Sequence, residues 1–432
     1  MRSNKRFLIL VAVLLLVISA SAVTAQDAVT IHWWHIDTGD PGLTFWQELA
    51  DKYTAEHPNV TFDITVLENE AFKARLVTVM QAGDPPDLFQ SWGGGKLWAF
   101  ADAGLLRNIA PELEANNNEW KDTFSAVAAL ELFGQNGEYY GVPRDWGAVG
   151  MFYNKDLFTQ AGLDPEKTPT TWTELVDTIN TLKAAGITPL SIGEKDKWPG
   201  HFWYGYLATR IGGEEAFLKA YNREGSFTDE PFVQAFEKLK ELAELDAFQE
   251  GYLAASYGDQ ETVFGNGQAA MELMGQWSPS VSKSNSESGE GIGEALGFFP
   301  FPMVEGGAGN PTDVFGGGDG FSVGKNAPDA AVDFLKFLSS AENQRAGIEV
   351  GCCYQPPTVK GLEDTYESDP IQSKIVETRD NAPYFQLYYD QFMPAPVAGA
   401  ILDAVEAVLS GAASPEEGAQ MVEDVAATEL SG

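Results

Sequence analysis

The chain has 432 residues, enough for more than one hydrophobic core, because single cores stop growing near roughly 250–300 residues. Its 63 acidic and 27 basic residues give a net charge of −36. Such a field repels nucleic acid and anionic lipid and does not suit phosphate-bearing ligands, so those partners are set aside.

Residues 1–25 read as a secretory signal peptide. Arg2, Lys5 and Arg6 precede an uninterrupted apolar run over 7–18 and a small-residue stretch over 19–25. Val23-Thr24-Ala25 is the expected cleavage signal, with Ala20-Ser21-Ala22 as second choice. As a helix the run rises about 18 Å, short of a hydrocarbon core of roughly 30 Å, which counts against a membrane anchor. No Cys follows it, so attachment as a lipoprotein is not expected. The expected location is outside the cytoplasmic membrane, periplasmic or at the cell surface.

In chain order, 29–34 reads as a strand, and Phe45, Leu49 and Tyr53 recur at helical spacing before Pro58. Residues 60–66 are β-rich, Phe72, Leu76 and Met80 mark a second helix ended by Gly83, and 87–90 is a third short strand. This alternation predicts a parallel sheet covered by helices, with ligands bound at loops beyond the strands' carboxyl ends. Further on, 141–153 is extended and Gly-punctuated, and Thr171 introduces a helix over 172–185. A strand over 187–192, a helix over 231–245 and strands over 268–274 and 296–301 follow. Residues 282–293, rich in Ser, Glu and Gly, read as a solvated loop. Residues 321–323 form a strand, Pro328 opens a helix at its first position, and the chain is helical from Pro394. The pattern predicts an α/β protein of two lobes with several crossings between them.

Several stretches resemble the carbohydrate-binding branch of ABC-transporter solute-binding proteins, the family of the maltodextrin-binding protein. They are Trp33-Trp34-His35, Ala82-Gly83-Asp84-Pro85-Pro86-Asp87-Leu88, Gly141-Val142-Pro143, Met151-Phe152-Tyr153-Asn154-Lys155 and Pro169-Thr170-Thr171-Trp172-Thr173-Glu174-Leu175. Gly267-Gln268-Ala269-Ala270-Met271, Gly275-Gln276-Trp277 and Ser340-Ala341-Glu342 continue the series in the family's order. Gln90-Ser91-Trp92-Gly93-Gly94-Gly95 and Gly316-Gly317-Gly318-Asp319-Gly320-Phe321 look most like the binders of xylobiose and related oligosaccharides. The resemblance implies the two-lobed periplasmic-binding-protein fold of type II, each lobe a mainly parallel sheet covered by helices, with the ligand cleft between lobes. Lobe 1 would hold 27–141 plus 319–352, and lobe 2 would hold 142–315 plus 356–432. It further implies a monomer that captures a neutral oligosaccharide, closes by a hinge, delivers the sugar to ABC permease subunits and catalyses nothing.

A sugar ring has apolar C–H faces and a rim of hydroxyls, so it calls for aromatic platforms beside groups that pair with several hydroxyls. At predicted strand ends stand Trp34, His35 and Asp37; Glu68 and Asn69, where Asn69 would alternatively cap the next helix; and Trp92 with Gly93 and Gly94. The glycines would let backbone amides approach a ligand, and no phosphate-loop pattern is present. Arg144 and Trp146 follow the first predicted crossing, with an Arg144–Asp145 surface contact as the alternative. His201 and Trp203 sit in an aromatic run after a strand, and Trp277 matches a family stacking position. Asp319 stands at a return crossing, Tyr354 follows two cysteines, and Tyr384 precedes the C-terminal helices.

Cys352 and Cys353 are the only cysteines and are not part of the family's common pattern. Their spacing fits neither zinc nor thioredoxin-like redox motifs. In an oxidising compartment they would close a vicinal disulfide; the alternative is two half-buried thiols.

Three rival functions deserve weighing. A glycoside hydrolase needs two carboxylates flanking the scissile bond, and no local pattern singles out a pair. A binder of another small ligand, such as a polyamine, would suit the acidity but not the aromatic and Gly-Trp segments. A surface adhesion module lacks this two-lobe order. No metal, nucleotide or flavin motif occurs, and no cofactor is expected.

Overall fold

The computed structural model describes residues 27–430, so the signal-peptide expectation lies outside the described residues. The first unit opens with β1 (Val29–His35), α1 (Gly42–Glu56), β2 (Val60–Val66), α2 (Asn69–Gln81), β3 (Leu88–Ser91) and α3 (Gly94–Asp102). Phe45, Leu49 and Tyr53 of α1 and Phe72, Leu76 and Met80 of α2 are buried, each set forming one apolar stripe at four-residue spacing. The cap of α2 is Glu68, whose carboxylate accepts from the amides of Glu70 and Ala71, rather than Asn69, which already lies inside the helix.

The chain continues through β4 (Gly141–Pro143), β5 (Gly147–Ala148) and β6 (Gly150–Asn154). The second unit adds α4 (Trp172–Ala184), β7 (Thr188–Ser191), α5 (Trp198–Tyr221), α6 (Glu230–Glu244), α7 (Tyr257–Gly265), β8 (Ala269–Met274), α8 (Ser278–Asn285) and β9 (Leu296–Phe299). Thr171 and Glu174 form a capping box at the start of α4. The loop expected over 282–293 begins only after Asn285: Pro279 lies in the first turn of α8, and the helix packs its Ser282 backbone on Gly265 of α7. β10 (Val314–Gly317) and β11 (Gly320–Val323) return the chain, and α9 (Asp329–Leu338) follows with Pro328 as its N-cap rather than its first residue. After α10 (Ala341–Glu349), α11 (Pro370–Asp380), β12 (Phe385–Leu387) and α12 (Tyr389–Phe392), two long helices, α13 (Ala395–Leu409) and α14 (Pro415–Glu429), complete the described chain.

One sheet has the order β2-β1-β3-β11-β4, a second β9-β6-β8-β7, and a small third β12-β10-β5. In the first, β1 pairs in parallel with β2 and β3, while β11 runs antiparallel to β3 and β4. In the second only β7 and β8 are parallel. The sheets are therefore more mixed than the mainly parallel arrangement expected, because strands adjoining the crossings enter in reverse. Each large sheet has its own core, one around Trp33, Trp46 and Phe334 and one around Phe152, Trp203 and Phe236.

β4 belongs to the first sheet and β5 to the third, so residues 144–146 cross between the lobes, and residues 318–319 cross back beside them. The Arg144 amide donates to the Asp319 carbonyl at 2.7 Å, and the Asp319 amide donates to Asp145 Oδ1 at 2.9 Å. A Cβ on Gly318 would collide with the Asp145 carbonyl, so only glycine lets the two crossings lie this close. The last crossing comes later than the expected return at residue 356. Val359 and Leu362 pack in the first core, Thr358 donates to the Pro143 carbonyl at 3.0 Å, and Ile371 and Ile375 of α11 are the next to pack on the second core. Among the described residues no helix is long and apolar enough to cross a membrane.

Candidate functional site

At the crossings Arg144 faces three carboxylates: Nη1 lies 2.9 Å from Asp37 Oδ2, Nε 3.3 Å from Asp145 Oδ2, and Nη2 3.3 Å from Asp319 Oδ2. Trp46 Nε1 donates to Asp37 at 2.5 Å, and Gln276 Nε2 donates to Asp145 at 3.0 Å. Burial pushes Asp145 and Asp319 up, the latter further through Asp145 beside it. Burial acts the same way on Asp37, but Arg144 and His35 outweigh it and hold this carboxyl below its ordinary value. Arg144 is thus committed to protein carboxylates and clamps the hinge, instead of offering a free fork to a ligand.

On the first lobe, β1 ends in Trp34 and His35. The Arg75 guanidinium covers one face of Trp34, 4.7 Å from the ring centre. His35 is buried, its Nδ1 has no protein partner, and burial lowers its pKa to about 4, so the ring is neutral at pH 7. Glu68 is occupied as a helix cap, and Asn69 donates to Glu70 at 2.9 Å. Trp92, just past β3, is half-buried and stands edge-on to Phe72 with ring centres 5.9 Å apart. The amides of Gly93 and Gly94 are already used, donating to Ser91 Oγ at 3.3 Å and the Leu132 carbonyl at 2.9 Å. A Cβ on Gly94 would stand 2.9 Å from the Gln391 carbonyl, so this glycine lets α3 touch α12 rather than a ligand.

On the second lobe, Trp277 is half-buried at the end of β8, with Trp198, Phe202 and Tyr388 around it at 6.3–6.4 Å between ring centres. Tyr388 OH, Gln276 Oε1 and Trp198 Nε1 are buried and have no protein partner. Leaving such an atom unsatisfied costs about 1–3 kcal/mol, and three of them edge this aromatic patch. Lys73 of α2 joins the two sides, its Nζ 5.5 Å from the ring centre of Trp92 and 5.8 Å from that of Trp198. Lys73 pairs with Glu70 on its own helix at 2.8 Å.

Several residues expected here lie elsewhere. His201 is fully buried, with Nδ1 3.2 Å from the Trp198 carbonyl and Nε2 accepting from the Asp390 amide at 3.4 Å. Burial holds it neutral, and its role is to tie α5 to α12. Trp203 packs on Phe248 and Phe301 in the second core. Tyr354 is 1% exposed, packs on Trp46 and donates to the Leu338 carbonyl at 2.9 Å. Trp146 stacks on Phe385 at 4.4 Å, and the hydroxyl of half-buried Tyr384 is taken up by Gln386. From the same segments the sequence points to His201, Trp203, Trp277 and Tyr384, whereas Trp198, Phe202, Gln276 and Tyr388 are the ones that surround Trp277 or border it. The available signal was the four-residue spacing of Trp198 and Phe202, which puts both on one helical face.

Cys352 and Cys353 are joined as a disulfide. The pair packs against the first core behind the loop that carries Asp37: a Cβ on Gly42 would lie 3.2 Å from Asp37 Cβ and 3.8 Å from Cys352 Cβ. Among the described residues no group of three or more His, Cys, Asp or Glu is disposed to hold a metal ion.

Residues 38–345 match the family model described as bacterial extracellular solute-binding protein. A structure solved in work on xylan utilization by the thermophilic bacterium Caldanaerobius polysaccharolyticus superposes with a TM-score of 0.83 at 29% identity, covering 92% of this chain and 99% of the other. A chitin oligosaccharide binding protein superposes with a TM-score of 0.83 at 26% identity, covering 94% of this chain and 100% of the other. The sn-glycerol-3-phosphate-binding periplasmic protein of Pectobacterium atrosepticum is 24% identical over 418 residues, 91% of this chain and 89% of that protein.

Proposed function

The chain belongs to the family of bacterial extracellular solute-binding proteins, and on that basis we propose that it captures a neutral oligosaccharide and delivers it to an ABC permease. The carrying observation is the set of unpartnered polar atoms on Tyr388, Gln276 and Trp198, which edge an aromatic patch opposite Trp92. Such a patch takes the apolar face of a pyranose, and the edge atoms take its hydroxyls. A phosphate has no matching cradle: Arg144 is neutralised by carboxylates and Lys73 by Glu70. The sugar closes the two lobes about the paired crossings, and the permease reads the closed form. Among sugars we assign xylo-oligosaccharides, supported by the likeness to the protein from the study of xylan utilization and by the segment Gln90-Ser91-Trp92-Gly93-Gly94-Gly95.

A thermal-shift screen over xylo-, gluco-, manno-, galacto- and chito-oligosaccharides, with glycerol 3-phosphate as the charged rival, tests this. Ligand at a hundredfold excess over Kd stabilises by about 2.7 kcal/mol, so xylobiose is expected to raise the melting temperature. A shift with glycerol 3-phosphate and none with any sugar would overturn the reading.

A further inference from the structure

We propose that Glu272, buried against Glu261 behind the aromatic patch of the second lobe, is a positioning residue for Trp277, and that its charge state sets how firmly the patch is held for a ligand. The inference rests on the sugar reading above and adds what keeps its platform in place.

Glu272 lies on β8, the strand that leads into Trp277, and Glu261 lies on α7, which packs against that strand. Both are fully buried, as are Gln260 and Ser278 beside them. The Glu272 carboxylate accepts from Gln260 Nε2 at 3.0 Å and from the Ser278 hydroxyl. Ser278 opens α8 and follows Trp277 directly, so this bond anchors the turn that carries the ring. Glu261 stands one helical turn after Tyr257, on the same face of α7. The Tyr257 ring lies 4.7 Å from that of Trp198, and both Glu261 and the Trp277 side chain act on its buried hydroxyl. The two carboxyls thus back both indoles of the patch, Trp277 through Ser278 and Trp198 through Tyr257.

Glu272 is the member that titrates, because two donors face it, and burial pushes it up to about 7. Neither oxygen of Glu261 has a partner of full hydrogen-bond geometry, with the Tyr257 hydroxyl beside it. Burial, together with Glu272, holds Glu261 neutral, well above the carboxylate range. Charged groups on the neighbouring segments are engaged elsewhere. Asp196 accepts from the Tyr257 amide at 2.7 Å and Asp259 from the Ser256 amide at 2.8 Å, with Lys195 acting on both carboxylates. Glu194 answers to Glu406 and Lys197, Lys283 pairs with Glu290 at 3.0 Å, and neutral His201 faces Asp390. Lys155 and Asp156 lie past the end of β6, whose Phe152 is the strand partner of Glu272.

Among the described residues no cation pairs with either carboxyl, so a charge on Glu272 has Glu261 against it and nothing to neutralise it. Hydrating that charge requires α7 and α8 to part, and Trp277 moves with Ser278. The support for the platform is therefore full in acid and is lost as pH rises through about 7.

Calorimetric titration with xylobiose between about pH 6 and 8.5 tests this on the wild type, Glu272→Gln and Glu261→Gln. The wild type should lose about tenfold in affinity over that range, within the roughly thirtyfold that ionisation 1.5 pH units above a midpoint permits. In Glu272→Gln, whose amide serves both Gln260 and Ser278 without titrating, the loss should be about tenfold smaller. It should persist in Glu261→Gln, which keeps the titrating carboxyl. Asp145 and Asp319 are present in all three proteins, so the difference between profiles reports Glu272. Parallel profiles for the wild type and Glu272→Gln overturn the proposal and leave the sugar reading standing. Should Glu272→Gln not fold, a pH-independent affinity in the wild type or in Glu261→Gln overturns it. Absence of xylobiose binding at every pH removes the sugar reading itself, and the proposal with it.

Discussion

Lys73 and Trp198 meet across the cleft, the Lys73 ammonium 5.8 Å from the ring centre of Trp198. One lies on α2 of the first lobe and the other opens α5 of the second, and no crossing segment joins them directly. The contact therefore exists only when the lobes are closed. A cation–π pair of this kind contributes about 0.5–2 kcal/mol. Lys73→Met should weaken sugar binding about two- to thirtyfold by loosening closure, read by calorimetry. Unchanged or tighter binding would mean that the ammonium only fills the place of the sugar.

Trp277 and Trp203 separate recognition from packing. Trp277 is half-buried beside unpartnered polar atoms, whereas Trp203 is 1% exposed among Phe248 and Phe301. Trp277→Ala should cost at least about tenfold in affinity with a small change in unliganded melting temperature. Trp203→Phe should lower the melting temperature and leave affinity within about twofold, because it removes core volume alone. The reverse assignment of effects would withdraw Trp277 as a platform.

Among the described residues Arg144 is the cation that pairs with Asp37, Asp145 and Asp319 at the crossings. Removing one partner of a buried ion pair costs about 3–5 kcal/mol, so Arg144→Met should destabilise by that order in urea unfolding. Adding Asp319→Asn removes one of the stranded carboxylates and should recover part of the loss. Additive losses in the double variant would contradict the clamp.

His35 supplies a pH signature. Its pKa falls from 6.5 to about 4 on folding, so between those values the unfolded chain binds more protons. Its contribution to stability is therefore full above pH 6.5 and is lost on acidification towards pH 4, by about 3 kcal/mol in the limit. The raised Asp145 and Asp319 act oppositely, losing stability as pH rises above the usual carboxylate range. His35→Gln should flatten the acid limb of the melting-temperature profile relative to wild type. Parallel acid limbs would show that the ring is charged in the fold.

The strand–helix rhythm from Val29 to Ser91 was legible because apolar spacing and turn residues act locally. So were the Gly-rich crossing at 316–320 and the aromatics Trp92 and Trp277 at strand ends. His201 and Trp203 misled because the whole aromatic run over 198–204 is buried in α5, and it is Trp198 and Phe202 of that run that stand beside Trp277. Tyr354 misled because its polar tip finds the Leu338 carbonyl, a partner no local pattern reveals. Arg144 stands at the crossing, but its carboxylate partners lie up to 175 residues from it in the chain. Strand direction in the second sheet depends on which lobe a strand enters from, which spacing does not encode.

An uncharged sugar held between Trp92 and the Trp198–Trp277 patch is the proposed bound state. Calorimetric titration of the wild type with xylotriose, beside glycerol 3-phosphate, tests it most directly. One-to-one binding of xylotriose is expected with Kd below about 10 µM, near 7 kcal/mol, and no heat from the phosphate. Saturable binding of glycerol 3-phosphate with no response to xylotriose would contradict it.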